Sequence, residues 1–332
     1  MNAQPSIFVV ERWTPASRIG AWVFAVSILV FATAPFFLSA GLLDRLTVLF
    51  IYVILAAMWN ALAGYGGLVS IGQQMFFGLG AYVTIRIANT GINPFLAVAL
   101  AGPCVALVAY VVSTFIIHLK GGEFAIGMWV LSELSHLLVN LDSLIQGETG
   151  TSLISMNAFE ADARRIAVYL VTLLAMLVLL GILYRLLRSK AGAAIQSIRD
   201  DESAASSVGV DVGATKRKLF VLAAFGIGVA GALWLCTAIT FQPKTYFGVQ
   251  WTAYMIFMVL VGGIGKFEGA IIGAILFFLI ETWFGALGVW YLIGLGSAAV
   301  IFSLFFPKGI WGAIENRFGI TLLPIGYRLV QK

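Results

Sequence analysis

Long apolar stretches, separated by short polar segments, occupy most of the chain from residue 20 onward. A transmembrane helix needs about 20 predominantly apolar residues, because each residue advances it by about 1.5 Å. Ten stretches approach this length: 20–40, 46–63, 68–86, 95–117, 123–141, 166–187, 219–241, 252–264, 269–286 and 288–306. The eighth and ninth are the weakest, since they are short or nearly fused. The pattern predicts an all-α, polytopic integral membrane protein with eight to ten spans.

The composition supports the same fold class. Of the 332 residues, 61% are hydrophobic and 11% are charged. Soluble domains have about 45–50% apolar and about 25% charged residues. A soluble protein this apolar would expose large hydrophobic patches, which water-facing surfaces avoid. The excess apolar surface is therefore expected to face membrane lipid.

The positions of Lys and Arg predict the orientation in the membrane. With a cytoplasmic N-terminus and ten spans, 15 of the 20 Lys and Arg residues lie in cytoplasmic segments and five lie outside. The positive-inside rule favours this orientation. Residues 1–19 and 307–332 are then cytoplasmic terminal segments that flank a transmembrane domain of residues 20–306. The basic residues lie mostly between apolar stretches, so the net charge of +5 indicates topology rather than nucleic-acid binding.

Patterns typical of nucleotide binding, metal binding or catalysis are missing from the sequence. The nearest approach to a phosphate-binding loop, at Gly265 and Lys266, lacks the upstream glycine and the following hydroxyl residue. The two histidines, His118 and His136, are too few and too isolated for a metal centre. We therefore expect no metal, no bound cofactor and no enzymatic activity in this chain.

Residues 188–218 form the longest predicted cytoplasmic segment between spans. A modest apolar stripe at helical spacing comprises Ile195, Ile198, Ala205 and Val208, while charges cluster at 199–202. The stripe favours a helix that lies across the cytoplasmic face and stops at Gly209. Such a helix could dock into a groove on a soluble partner. The alternative is a solvated loop whose charges only fix the topology.

This segment contains the run Arg199-Asp200-Asp201-Glu202-Ser203-Ala204-Ala205, followed by Gly209. The run resembles the cytoplasmic loop of LivM-type permeases of branched-chain amino acid ABC transporters. Ala204, Ala205 and Gly209 also match the ABC-importer loop pattern EAA-x3-G, although Ser203 replaces its glutamate. Three further stretches resemble the same family: Gly64–Gly72 with 76–82, Val261–Gly265 with Gly269 and Gly273, and Phe306-Pro307-Lys308-Gly309. Together they cover roughly residues 45–315, and Gln73-Gln74 departs from the family's His-Ala.

The resemblance implies an ABC-importer permease fold and a function in import. The chain would translocate branched-chain amino acids or a related solute, such as urea, a short amide or an aromatic acid, across the bacterial inner membrane by alternating access. Its expected partners are a second, LivH-type permease subunit, two cytoplasmic ATPase subunits that bind ATP and Mg, and an extracytoplasmic, periplasmic solute-binding protein. The coupling residues would be Arg199, Asp200, Asp201, Glu202, Ala204, Ala205 and Gly209.

Two glycine clusters are candidates for hinges or for close helix packing. The first comprises Gly64, Gly66, Gly67 and Gly72, and the second comprises Gly262, Gly263 and Gly265. Glycine allows close helix approach, and it also allows backbone to break within the membrane where it lines a cavity. The first cluster favours a functional break, because the polar residues Ser70, Gln73 and Gln74 follow it as solute-path candidates. For the second cluster, a simple turn between spans is an equal alternative.

Ionisable residues inside spans are costly and usually face protein or water. Glu133 and His136 lie at i and i+3 in the fifth span. Three interpretations remain open: they line the solute path, they pair as packing contacts, or they form a proton relay. The last leads to an alternative function, an ion-coupled secondary transporter that uses Glu133 and His136 and works without ATP.

Overall fold

The computed structural model describes residues 8–11, 13–306, 308–319, 322–326 and 328–331. Pro307 of the predicted closing motif lies outside these residues, as do Arg12 and Lys332, which contribute to the predicted charge asymmetry.

Over the described residues the chain is largely helical, and a helix overlaps each of the ten predicted spans. These helices are α1 (Pro15–Thr33), α2 (Ala40–Asn60), α3 (Gln74–Ala88), α4 (Pro94–Ile116), α5 (Gly121–Asn140), α6 (Ala161–Leu187), α9 (Val212–Ala238), α11 (Gln250–Gly262), α12 (Phe267–Phe284) and α13 (Val289–Phe305). Shorter helices are α7 (Lys190–Asp200), α8 (Glu202–Ser207), α10 (Pro243–Tyr246) and α14 (Gly309–Phe318). Eight helical segments in the described part are long and apolar enough to cross a membrane, which confirms the predicted all-α polytopic fold.

Two pairs of short strands accompany the helices. β1 (Phe8–Glu11) pairs antiparallel with β4 (Arg328–Gln331), and β2 (Thr151–Ser152) pairs with β3 (Thr240–Phe241). The first pair brings both terminal segments together. The second pair ties the long connection between α5 and α6 to the end of α9.

Several helices begin before the predicted apolar stretches, because helical turns outside the apolar zone are polar and escape a hydropathy pattern. α1 already begins at Pro15, where the Thr14 hydroxyl accepts the Ser17 N–H at 3.2 Å. α9 already begins at Val212, where the Asp211 carboxylate accepts the Ala214 N–H at 2.9 Å. Helices α1 and α9 therefore extend into the predicted 1–19 and 188–218 segments, and the predicted C-terminal segment contains α14.

Helices α2 and α9 form the centre of the bundle. α2 is buried along its whole second half, from Phe50 to Asn60. α3 packs directly on α9, and a Cβ at Gly231 would lie 1.9 Å from the Phe77 carbonyl oxygen. Small residues allow such close backbone contact between membrane helices. Outward faces are apolar, as Trp22 and Leu29 of α1 and Trp290 of α13 show, and suit contact with lipid.

Charged contacts separate the bundle into two ends. The first, which we name the loop end, holds α7, α8 and the ion pairs Lys216–Glu202 at 2.8 Å and Lys266–Glu315 at 2.6 Å. The other, the distal end, holds Asp44–Arg165 at 3.1 Å and Arg86–Asp142 at 3.3 Å. The Arg188 guanidinium lies 5.6 Å from the Trp13 ring, which places the start of α1 at the loop end. Because β1 pairs with β4, both described termini lie at the loop end. Termini on the same side of the membrane require an even number of membrane crossings.

Candidate functional site

The predicted helix in the 188–218 segment is present as two helices joined at Asp201. α7 buries Gly192, Ile195 and Ile198, and it packs on α6 and α9. α8 buries Ala205. Three of the four stripe residues, Ile195, Ile198 and Ala205, therefore form the surface by which this loop attaches to the bundle.

Asp201 and Gly209 set the two ends of α8. The Asp201 carboxylate accepts the backbone N–H groups of Ser203 and Ala204 at 2.8 and 2.9 Å, which is a helix N-cap. Gly209 has φ +87°, and the Val210 N–H donates to the Ala205 carbonyl at 3.1 Å, as in a Schellman C-cap. Gly209 is thus the predicted stop signal.

Val208 does not continue the buried stripe, contrary to the prediction. It is 78% exposed. The extended backbone of Asp201, with φ −157°, interrupts the helix and changes its phase, so α8 turns a different face to the bundle. The exposed side of α8, which we name the α8 tip, consists of Ser203, Ala204, Ser206, Ser207 and Val208. Its side chains are small and uncharged, and comprise three serines, one alanine and one valine.

The charges of the predicted coupling motif contact this chain itself. Glu202 pairs with Lys216 at 2.8 Å and lies 3.8 Å from Lys120, which precedes α5. Arg199 contacts Asp200 through two nitrogens, at 2.8 and 2.9 Å. These contacts fix the loop against the bundle and leave the α8 tip as its outward surface.

Arg199 also joins the loop to both glycine clusters. Its Nη1 donates to the Gly64 carbonyl at 3.1 Å, and a Cβ at Gly67 would lie 3.2 Å from the Arg199 side chain. A Cβ at Gly64 would lie 2.4 Å from the Gly265 nitrogen, so no larger residue fits there. We name this meeting point of Asn60, Gly64, Gly67, Arg199 and Gly265 the junction.

Asn60 is the junction residue that the sequence analysis missed. It is 1% exposed; its Oδ1 accepts the Gly265 N–H at 2.8 Å, and its Nδ2 donates to the Lys266 carbonyl at 2.9 Å. These bonds hold the turn between α11 and α12 against the end of α2. A polar amide inside an apolar stretch is unusual, and that signal could have identified it.

A non-helical segment follows α2. A π-helical turn covers Ala61–Tyr65, and residues 66–73 then run without helix to α3. The Gln74 N–H donates to the Thr252 hydroxyl at 3.3 Å. Thr252 lies ten residues before Gly262, or about 15 Å along α11, which is about half the hydrocarbon thickness. The break predicted after the first glycine cluster is therefore present at mid-depth, while the second cluster forms a turn.

The predicted solute-path residues of this segment point into the bundle. Ser70, Gln73 and Gln74 are each at most 1% exposed, whereas Val69 and Ile71 are 47% and 38% exposed on the other side. The Gln74 amide bonds to the Thr252 hydroxyl, and the Ser70 hydroxyl accepts the Gly72 N–H at 3.3 Å. Both amide atoms of Gln73 are buried and have no hydrogen-bond partner among the described residues.

The glycines of both clusters lie at close contacts or at left-handed positions. A Cβ at Gly66 would meet the Leu219 side chain at 2.4 Å, one at Gly72 the Met128 carbonyl at 2.0 Å, and one at Gly262 the Gly269 carbonyl at 1.9 Å. Gly263, with φ +132°, turns the chain between α11 and α12. The structure thus favours close packing and turns as the role of these residues.

Glu133 and His136 contact each other near the distal half of α5. His136 Nδ1 lies 3.3 Å from Glu133, and Nε2 lies 2.8 Å from Glu148. Burial raises the pKa of Glu148, but hydrogen bonds from Asn140, the Lys244 N–H and His136 outweigh it and hold that pKa below its usual value. Glu133 is 60% exposed in its side chain, on a face otherwise formed by apolar residues such as Trp129 and Leu137. Among the described residues no group of His, Cys, Asp and Glu is arranged to hold a metal.

The described residues combine helices of membrane length with a compact loop at one end. They also contain a non-helical segment that reaches mid-depth beside buried polar side chains. These features define an integral membrane permease subunit. Residues 41–307 match the family model described as the branched-chain amino acid transport system / permease component, and the chain belongs to this family. Members of this family are described as a component of a transport system. This match confirms the LivM-type resemblance inferred from the loop and glycine motifs.

Curated relatives agree with this assignment. The chain is 27% identical to the high-affinity branched-chain amino acid transport system permease protein LivM of Escherichia coli K12, over 89% of this chain and 76% of the relative. It is 26% identical to the LivM protein of Salmonella typhimurium over the same shares. It is 24% identical to a probable LivM protein of Methanocaldococcus jannaschii, over 65% of this chain and 68% of the relative. No solved structure gives a significant match.

Proposed function

We propose that this chain is the permease subunit of an ATP-driven importer that moves branched-chain amino acids or a related small solute by alternating access. The observation that carries the proposal is the junction, where Arg199 of the loop contacts Gly64 just before the non-helical residues 66–73 that lead to mid-depth. A displacement of the loop acts directly on the broken segment through this contact. The names of the relatives support the substrate class.

The proposed importer contains further chains. Two cytoplasmic ATPase subunits bind ATP and Mg, which this chain does not. Each ATPase subunit contacts an exposed permease loop, such as the α8 tip of this chain. For ATP to shift the permease between states, the tip must contact the nucleotide states of the ATPase differently. An extracytoplasmic binding protein delivers solute to the distal end. In this proposal the protein lies in the inner membrane. The loop end and both termini then face the cytoplasm.

A second, related permease subunit completes the solute path. Glu133 is exposed among apolar residues in the distal half of α5, and an ionised carboxylate that faces lipid is costly. α5 packs at Met128 against the broken segment, whose Val69 and Ile71 are also exposed. We assign this surface to the interface with the second permease, where Glu133 contacts water or solute rather than lipid.

The test replaces the apolar residue of the α8 tip. Val208→Glu is expected to reduce co-purification of the ATPase subunits and ATP-driven uptake into proteoliposomes. Ile154→Glu is the matched control, because Ile154 is 73% exposed in the connection between α5 and α6 at the distal end, and this change is expected to leave ATPase co-purification unchanged. Normal ATPase binding and uptake in Val208→Glu would contradict the proposal.

A second candidate function has a specific observation in its favour. His136 lies between two carboxylates, an arrangement that could pass protons in an ion-coupled secondary transporter. That function predicts uptake driven by a proton gradient in liposomes that contain this chain alone, and its loss in Glu133→Gln. Uptake that requires ATP and the ATPase subunits excludes it.

A further inference from the structure

A cavity of about 440 Å³ opens at the distal end between α2, α6 and α9. Its volume falls within the range of about 300–1,000 Å³ typical of small-molecule sites. None of the solute-path candidates lines it. It therefore lies within one subunit, apart from the α5 surface assigned to the partner permease.

A carboxylate, that of Asp44, and a guanidinium, that of Arg164, both line this cavity. Arg165 Nε contacts both carboxylate oxygens of Asp44 at 3.1 Å, and Nη1 contacts Asp162 at 2.7 Å. The Asp44 side chain is 60% exposed, so its oxygens can accept further hydrogen bonds. Arg164 donates only to the Met156 carbonyl, at 3.4 Å, and has no carboxylate partner among the described residues. Its guanidinium can donate two parallel hydrogen bonds to a carboxylate.

The wall of the cavity is apolar. It includes Val48, Val168, Trp234 and Ile239. A site that binds small molecules commonly combines such a wall with a few placed polar groups. An ammonium group, a carboxylate and an apolar side chain on one small molecule would match the three kinds of surface found here.

Backbone strain at the wall is a second, independent observation. Ile239 has φ +62°, which is a genuine outlier for a β-branched residue. Its N–H donates to the Leu235 carbonyl at 2.7 Å, and its carbonyl accepts the Leu153 N–H at 2.8 Å. These bonds hold the strained residue where its side chain lines the cavity. Strained residues of this kind cluster at ligand sites and active sites.

We propose that this cavity binds a zwitterionic α-amino acid with an apolar side chain. Arg164 takes the carboxylate, Asp44 takes the ammonium group, and Val48, Trp234 and Ile239 contact the side chain. The site deepens the proposed function and rests on it for access from the extracytoplasmic side. It places an amino-acid site at the distal mouth of a single subunit.

The test is calorimetric titration of the full chain with L-leucine in nanodiscs of phosphatidylglycerol. Saturable binding is expected. 4-Methylpentanoate, which lacks the ammonium group, and isopentylamine, which lacks the carboxylate, should each bind about tenfold more weakly or worse, since each loses one charged contact. Equal binding of either analogue would overturn the proposal, and so would an absence of saturable leucine binding.

Variants assign the binding to this cavity. Arg164→Gln and Asp44→Asn should each weaken leucine binding about tenfold or more, and Val48→Phe should weaken it by filling the cavity without a change of charge. Arg45→Gln is the matched control, because Arg45 adjoins Asp44 but does not line this cavity. Unchanged affinity in Arg164→Gln and Val48→Phe would refute the assignment. Phosphatidylethanolamine that co-purifies with the wild type and is lost in Arg164→Gln, without leucine binding, would replace it with a lipid site.

A failure of the cavity site can be distinguished from a failure of the proposed function. ATP-driven uptake by the assembled importer, together with no leucine binding to the chain, would refute the cavity site alone. Uptake that needs no ATPase would refute the ATP-driven function, whatever the calorimetry shows.

Discussion

Replacing Asn60 with leucine tests the junction directly. The change keeps the approximate size of the side chain but removes the two hydrogen bonds to Gly265 and Lys266. The Gly265 N–H then loses a partner in a site where Asn60 is 1% exposed, and the Lys266 carbonyl loses its bond too. A buried polar group left unsatisfied costs about 1–3 kcal/mol, so the two together should lower the free energy of unfolding by about 2–6 kcal/mol.

The free energy of unfolding can be followed by tryptophan fluorescence during a titration with sodium dodecyl sulfate. Thr172→Val is the matched control: Thr172 is equally buried, but its hydroxyl bonds to the Val168 carbonyl of its own helix at 2.7 Å. That change should cost about 1 kcal/mol or less, because the carbonyl keeps its helical partner. If Asn60→Leu costs no more than Thr172→Val, the turn between α11 and α12 does not depend on Asn60 and the reasoning is wrong.

Three further predictions concern other contacts. Asp201→Ala should destabilise α8 by about 0.5–2 kcal/mol through loss of its N-cap, seen as faster amide hydrogen exchange in that helix; unchanged exchange would contradict it. Gly231→Val should sharply reduce the yield of folded protein in size-exclusion chromatography, because its Cβ collides with backbone, whereas Gly181→Val in open space should not. Hydrogen bonds from the Tyr82 hydroxyl and a backbone N–H outweigh burial and hold the pKa of Asp142 below its usual value of 3.8. A lowered pKa gives stability that is present above about pH 4 and lost as the pH falls further; Tyr82→Phe should therefore flatten the loss of thermal stability measured between pH 5 and 3, and an unchanged slope would refute this.

The membrane helices were predictable because lipid imposes a local requirement. Each span must be apolar over about 20 residues, so ten stretches identified ten helices without any knowledge of their neighbours. The stop at Gly209 was predictable for a similar reason, since a left-handed residue after a helix is usually glycine. The beginning of α9 was not, because Lys216 and its neighbours lie in helical turns that look polar.

The junction could be predicted only in part. Arg199, Gly64 and Gly265 are each conspicuous in the sequence. Arg199 and Gly64 are, however, 135 residues apart, and Asn60 and Gly265 are 205 residues apart, and a single sequence does not show those pairings. The exposure of Val208 depends on the backbone of Asp201, which changes the phase of the helix after it. A uniform helical pattern across that residue necessarily places Val208 on the wrong face.

The absence of charge on the α8 tip has a consequence for how the proposed importer can be handled. The charged groups from Arg199 to Glu202 contact their own chain, so attachment of the proposed ATPase subunits through the tip would rest on shape, serine hydrogen bonds and apolar contact. Salt weakens attraction between exposed charges but has little effect on such contacts. Concentrated salt washes, which remove electrostatically bound peripheral proteins from membranes, should therefore leave the proposed ATPase subunits attached.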